Sequence, residues 1–142
     1  MINIAGYQIF TQIYESINSK IYRAIQEQDN QAVILKVLKE DYPTPNKLTQ
    51  YKQEYEITRN LKLDGVVKAF ALLPYERTLV IILEDFGASS LKQLMNESVE
   101  VRHASSLSKF LSIAIKTAEI LGAIHGLNVI HKTDARQKLK PY

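Results

Sequence analysis

The sequence contains no cysteine. A disulfide, a thiolate nucleophile and a zinc site built from cysteine are therefore excluded, which fits the reducing cytoplasm. Residues 1–4 lack a basic segment followed by a long apolar run, so they predict no signal peptide. No stretch approaches the roughly 18 apolar residues that a membrane-spanning helix needs. We expect a cytoplasmic protein with no membrane partner.

The composition is typical of one folded domain. Of the 142 residues, 46% are hydrophobic and 23% are charged, which supplies a core. The positive excess lies in residues 132–142, whose charged side chains are Asp134 and four cations: Lys132, Arg136, Lys138 and Lys140. A basic tail can bind nucleic acid or anionic lipid, but a solvated terminus is the simpler interpretation, since no aromatic residues interleave with the basic ones. We expect no nucleic-acid partner.

The first third of the chain has the pattern of β-strands. Extended runs are predicted at residues 7–14, 19–25 and 32–38. The second run alternates polar and apolar residues, and the third is rich in β-branched residues and therefore central. Short turns between them predict an antiparallel meander.

Helical spacing begins after residues 42–45, where Thr44 can cap a helix and Pro45 suits its first turn. The helix region is predicted to end at Gly65. The residues on the inner face of this helix, its inner stripe, are Tyr51, Glu54, Tyr55, Thr58 and Leu61. Two further strands are predicted at residues 66–73 and 79–83, joined by residues 74–77.

Two helices are predicted in the last part of the chain. A short one is capped by Ser89 or Ser90 and runs through Met95. A long amphipathic one covers residues 107–125 and ends near Gly126. Three strands, a helix, two strands and then helices indicate an α+β fold with a five-stranded antiparallel sheet.

One lysine stands out because it lies inside an apolar strand. An unpaired ammonium at Lys36 would cost several kcal/mol if buried. Glu54 poses the same problem on the inner stripe of the helix, so we predict that the two residues pair; alternatively, either side chain reaches solvent. A core ion pair is weak evidence of stability, so its presence would be easier to explain if Lys36 had a role such as binding phosphate.

Together these patterns resemble the small lobe of a serine/threonine protein kinase. Residues 33–36, Val-Ile-Leu-Lys, are similar to the family's Val-Ala-Ile-Lys, whose lysine binds the α- and β-phosphates of ATP. Glu54 takes the helix-C position. Residues 83–86, Leu-Glu-Asp-Phe, resemble the hinge between the lobes, and residues 129–132 resemble the approach to the His-Arg-Asp catalytic loop.

The resemblance implies an ATP site. Lys36 would hold phosphates with Glu54 as its partner. Leu83 would be the gatekeeper, and the backbone of Glu84 and Phe86 would contact adenine. The other implied ATP-binding residues lie near the first turn: Ser16, Ser19 and Ile21.

The phosphate-binding loop departs from the family pattern because it has no glycine. Tyr14, Ser16 and Ser19 stand at the family's three glycine positions. Glycine lets backbone amides approach phosphate closely, so here the serine hydroxyls would donate instead. ATP binds between two lobes in this family, so the resemblance also implies that lost large-lobe contacts and lost magnesium ligands make ATP binding weak here.

The catalytic loop departs as well. Thr133 replaces the catalytic aspartate, and Lys138 or Leu139 falls where the family has its metal-binding asparagine. No Asp-Phe-Gly follows. His103, His125 and His131 lack the spacing of zinc ligands. We therefore assign no catalytic residue and no metal ligand, expect phosphotransferase activity to be lost, and expect magnesium not to be retained.

A finer resemblance is to the kinase module that opens large bacterial sensor kinases of the cyanobacterial type, carried by residues 13–16, 40–45 and 83–87. It implies a small lobe over residues 1–86, incomplete large-lobe helices over 87–132 and an unmatched tail over 133–142, truncated before the catalytic loop. Two alternatives to a nucleotide-binding lobe stay open. The chain is either an interaction module that binds itself or another protein through helix 107–125, or a non-functional remnant.

Overall fold

A computed structural model describes residues 2–87 and 105–129. The elements within these ranges are β1 (Tyr7–Glu15), β2 (Ser19–Gln26), β3 (Gln31–Leu38), α1 (Pro45–Asn60), β4 (Ala69–Tyr75), β5 (Thr78–Glu84) and α2 (Ser105–Gly126). The sheet and α1 form one compact unit, and α2 belongs to a second. The predicted short helix through Met95 and the residues around Thr133 lie outside the described ranges.

The five strands form one antiparallel sheet in the order β1-β2-β3-β5-β4. The meander and the central position of β3 are therefore confirmed, and so is the α+β fold. The β2–β3 turn follows from its sequence, because Asn30 adopts φ 58° and Asp29 Oδ1 accepts a hydrogen bond from Gln31 N at 3.1 Å.

Side chains alternate across β3 and divide the core in two. On one face, apolar side chains of the central strands are fully buried: Val33, Leu35, Val80 and Ile82. On the other face, Leu38 and Ile81 pack with Tyr51 and Tyr55 of α1. Directly paired strand residues share a face, so the α1 side carries alternate residues of each central strand.

The predicted start of α1 is confirmed. Thr44 caps it, accepting a hydrogen bond from Lys47 N at 3.4 Å, and Pro45 occupies the first turn. The predicted inner stripe is wrong in part, since Tyr51 and Tyr55 are its buried residues and Glu54 is exposed. At the margin of the helix–sheet contact a carboxylate keeps its hydration, whereas burial among the tyrosines would cost free energy.

Strand β4 begins later and ends later than the sequence predicts. Val66 N donates to Leu63 O at 3.2 Å, which closes a turn over residues 63–66, and the residue pairing of β4 with β5 starts at Ala69. At the other end Pro74 lies within the strand, opposite Leu79. Because β4 is an edge strand, a proline there removes no necessary ladder hydrogen bond.

Helix α2 confirms the predicted long helix and its end at Gly126. Its exposed large apolar side chains include Phe110, Leu111, Ile113, Ile115 and Leu121. Among the described residues, no helix is long and apolar enough to cross a membrane.

Candidate functional site

The register of the sheet brings several predicted site residues to the face that carries α1. Ile21 on β2 lies opposite Lys36 on β3, and Lys36 lies opposite Ile81 on β5. Two residues along, Ile34 lies opposite Leu83. Since paired residues share a face, Ile21, Lys36 and Leu83 line one side of the sheet.

The predicted pair of Lys36 and Glu54 is confirmed, because Lys36 Nζ contacts Glu54 Oε1. The side chains are 22% and 44% exposed, so the pair lies at the open margin of the helix–sheet contact and not in the core. Its ammonium therefore keeps contact with water, and the predicted cost of burial does not apply in full. A half-exposed pair contributes little to stability and leaves the ammonium accessible to an anion.

Tyr51 supports Lys36 in a way that sequence reasoning did not recognise. Its hydroxyl donates to Lys36 O at 2.8 Å, and its ring centroid lies 5.7 Å from Lys36 Nζ. Burial raises the pKa of Tyr51 far above its usual range, and the neighbouring Glu54 carboxylate raises it further. This buried hydroxyl joins α1 directly to the backbone of β3, which fixes the residue beside Glu54.

The turn between β1 and β2 contains the predicted residues Ser16 and Ser19, and it is closed by its own hydrogen bonds. Ser16 Oγ accepts from Ser19 N at 3.0 Å and from Asn18 N at 3.3 Å. Ser16 N donates to Ser19 O at 2.8 Å, and the two serine hydroxyl oxygens lie 3.1 Å apart. The amides of Ser16, Asn18 and Ser19 are thus bonded inside the turn.

The same turn is tied to the end of β3. Lys39 N donates to Asn18 O at 2.9 Å, and Lys39 Nζ pairs with Glu15. The hydrogen bond from Lys39 lowers the pKa of Glu15, and one from Gln12 lowers it further. Since Lys39 directly follows β3 and Lys36 lies three residues before it, the turn and the lysine site are connected through the end of β3.

The segment after Leu83 contains the predicted hinge residues. Leu83 packs against the cluster of α1, Glu84 N donates to Lys68 O at 2.9 Å, and the Phe86 side chain is 69% exposed. Residues 85–87 read Asp-Phe-Gly, but they directly follow β5 and so form the hinge-like segment. A second hydrogen-bond network holds them. The Asp85 carboxylate accepts hydrogen bonds from the Arg23 guanidinium on β2 and from the backbone amide of Gly87.

No group of three or more histidine or acidic side chains in residues 2–87 and 105–129 is arranged to hold a metal ion. The phosphate and base contacts that the kinase resemblance implies stay predictions. The residues present fit an ATP-like ligand unevenly. The Lys36 ammonium is accessible, whereas the amides of the β1–β2 turn already have acceptors.

Comparison with known families gives one assignment. The model of the protein kinase domain family matches residues 7–135, a range that includes the sheet, α1, α2 and the position of Thr133. No curated protein matches the chain.

We predict that Tyr51→Phe lowers the free energy of unfolding by about 1 kcal/mol at neutral pH, because Lys36 O loses its donor. The folded state raises the pKa of Tyr51 above its usual value of 10.0, so protonated Tyr51 stabilises the fold below that pH. This contribution disappears as pH rises above 10.0, and the gap between parent and variant should close. Urea unfolding at neutral pH and at about pH 11 measures it.

The matched control is Tyr14→Phe, since Tyr14 is exposed on β1. Tyr7 and Tyr22 also have raised pKa values through burial, so part of the alkaline loss of stability should persist in every variant. Equal stability of Tyr51→Phe and the parent at neutral pH would contradict the assigned role of this hydroxyl.

Proposed function

The chain belongs to the protein kinase domain family, and on that premise we propose that it binds ATP weakly through the α1 face of its sheet and does not transfer the phosphate. The observation that carries the proposal is the pairing of Lys36 with Glu54 on that face. The pair holds the Lys36 ammonium at a half-open margin, where a polyphosphate can reach it.

The closed β1–β2 turn is the reason for weak binding. In the kinase family this loop offers free backbone amides to the phosphates. Here Ser16, Asn18 and Ser19 use their amides within the turn. A phosphate must either replace these bonds or forgo them, so the affinity should lie near the millimolar range, about −4 kcal/mol.

The identity of residue 133 argues against phosphoryl transfer. In kinases an aspartate at this position accepts the proton of the substrate hydroxyl. Thr133 lies within the family match, and its hydroxyl is not a base at neutral pH. Neither Lys138 nor Leu139 replaces the asparagine that holds magnesium. ATP would arrive with its own magnesium and find no further ligand among these residues.

The origin of the domain is a finer proposal. Residues 13–16, 40–45 and 83–87 carry the resemblance to the N-terminal module of large bacterial sensor kinases, of the kind we associate with cyanobacteria. In such proteins an ATPase-like region and a histidine kinase accompany the module. The same origin would hold if the chain were a non-functional remnant of such a protein.

A second candidate function is protein interaction, and helix α2 favours it. Phe110, Leu111 and Ile115 are exposed on this helix. Residues at spacing i, i+4 lie on one side of a helix, so Leu111 and Ile115 form a continuous apolar surface. Exposed apolar surface of this kind is typical of contacts between proteins. We propose self-association through residues 107–125.

The ATP proposal predicts that Lys36→Met abolishes detectable ATP binding, since the variant removes the phosphate-binding charge. The free energy of unfolding should change by no more than about 1 kcal/mol, because the pair with Glu54 is half exposed. Isothermal titration with ATP and magnesium, beside urea unfolding, measures both quantities.

Lys52→Met is the matched control, because Lys52 is exposed on α1 and its loss changes the net charge equally. ATP binding that is equal in the parent and Lys36→Met would overturn the site. Assays with γ-labelled ATP should find no phosphate on the chain or on a general protein acceptor. Labelling that requires Lys36 would overturn the inactive part of the proposal.

The proposed origin predicts genes for an ATPase-like region and a histidine kinase beside the gene of this chain, in any reading frame. The nucleotide sequence of the locus decides it. A neighbourhood that encodes neither region would contradict the sensor-kinase origin and leave the family assignment unchanged.

The interaction candidate predicts that the chain dimerises with rising concentration and that Leu111→Glu weakens the dimer at least tenfold, since a charge would enter the apolar contact. Sedimentation velocity measures the equilibrium. Ser112→Glu adds the same charge to the same helix and should leave the dimer intact. A parent that stays monomeric at all concentrations rules out this candidate.

A further inference from the structure

Asp85 has the least exposed charged side chain among the ion pairs of the described residues. The Asp85 side chain is 6% exposed, whereas the other paired side chains are at least 22% exposed. Arg23 Nε donates to Asp85 Oδ2 at 2.6 Å, and Arg23 Nη2 donates to Oδ1 at 3.3 Å. A bidentate, charge-assisted contact of this kind fixes direction as well as distance.

The position of Arg23 on the sheet shows which two segments the contact joins. Arg23 lies opposite Ile34 on β3, and Ile34 lies opposite Leu83 on β5. The arginine therefore shares the face of Lys36 and reaches across β3 to the residue that follows Glu84. The ion pair joins two segments that are 62 residues apart in sequence.

Asp85 also fixes the backbone that follows it. Its Oδ1 accepts a hydrogen bond from Gly87 N at 2.8 Å, in the pattern of an Asx turn. Gly87 adopts φ +71°, a conformation that a side chain would strain. Before Asp85, Glu84 N is bonded to Lys68 O at 2.9 Å. The backbone is thus held on both sides of Phe86.

We propose that Arg23 and Asp85 are positioning residues that hold residues 84–87 in the conformation that recognises an adenine base. The inference rests on the proposed ATP site and extends it, since it adds two residues that position the base-recognising backbone to the phosphate-binding Lys36. Arg23 acts through Asp85 on the backbone of Glu84 and Phe86. Without the guanidinium, the buried carboxylate turns toward water and releases the turn at Gly87.

The separation of the two roles gives a sharp test. ¹⁵N NMR titrations of the full 142-residue chain with ATP, adenosine and inorganic tripolyphosphate compare the parent with Arg23→Met and Lys36→Met. Arg23→Met should weaken binding of ATP and adenosine about tenfold and leave tripolyphosphate unchanged, because one charged contact is lost. Lys36→Met should weaken ATP and tripolyphosphate and leave adenosine unchanged.

Lys68→Met is the matched control, since it removes one cation beside the same segment but only a 3.5 Å contact from an exposed lysine to the partly exposed Glu84. It should bind all three ligands as the parent does. Arg23→Lys keeps the charge and loses the bidentate geometry, so it should give a smaller loss and serves if Arg23→Met fails to fold.

Equal losses for adenosine and tripolyphosphate in the Arg23 variants, or none, would overturn the inference and leave the ATP site standing. A parent that binds none of the three ligands overturns the proposed function and base recognition with it. Amide exchange in the same samples tests the positioning itself. Phe86 and Gly87 should exchange faster in Arg23→Met than in Lys68→Met, and equal rates would overturn the positioning role.

Discussion

Strand β3 is hydrogen-bonded along both edges, so the alternation of its side chains determines what lies on each face of the sheet. Val33 and Leu35 enter one core, while Ile34 and Lys36 face the other side. A shift of the strand by one residue would bury the ammonium and expose the largest apolar side chains. The position of Lys36 is therefore a consequence of the packing of the sheet, and it needs little stabilisation from Glu54.

Much of the fold could be predicted because its signals are local. Three signals depend only on residues nearby in the sequence: the β-branched run of β3, the cap at Thr44 and the helix end at Gly126. The errors occurred where tertiary contacts decide. Pro74 is a strand residue only because β4 lies at the edge, and Glu54 is exposed only because α1 packs through its tyrosines. Neither fact is encoded in the residues next to it.

The candidate site, like the fold, was predictable only where local sequence signals identify the contact. The pairing of Lys36 with Glu54 follows from two charges on apolar patterns. The Tyr51 hydroxyl and the Arg23–Asp85 contact do not follow, because each depends on which strand lies beside which. An arginine in the middle of a half-buried strand was the available signal for the second contact. Such a side chain needs a partner, and only the register of β2, β3 and β5 identifies it.

The two ends of the proposed nucleotide site differ in how much rearrangement ligand binding would require. At the hinge-like end, Asp85 and Gly87 already hold the backbone, so a base would meet a fixed surface and lose little free energy to ordering. At the phosphate end, the Ser16 hydroxyl already accepts a hydrogen bond from the Ser19 amide within the β1–β2 turn. A ligand must first break bonds there that are worth about 1 kcal/mol each. In the proposed site the ordering cost would therefore fall on the phosphates, and a chain with this turn would be poorly suited to position a γ-phosphate for transfer.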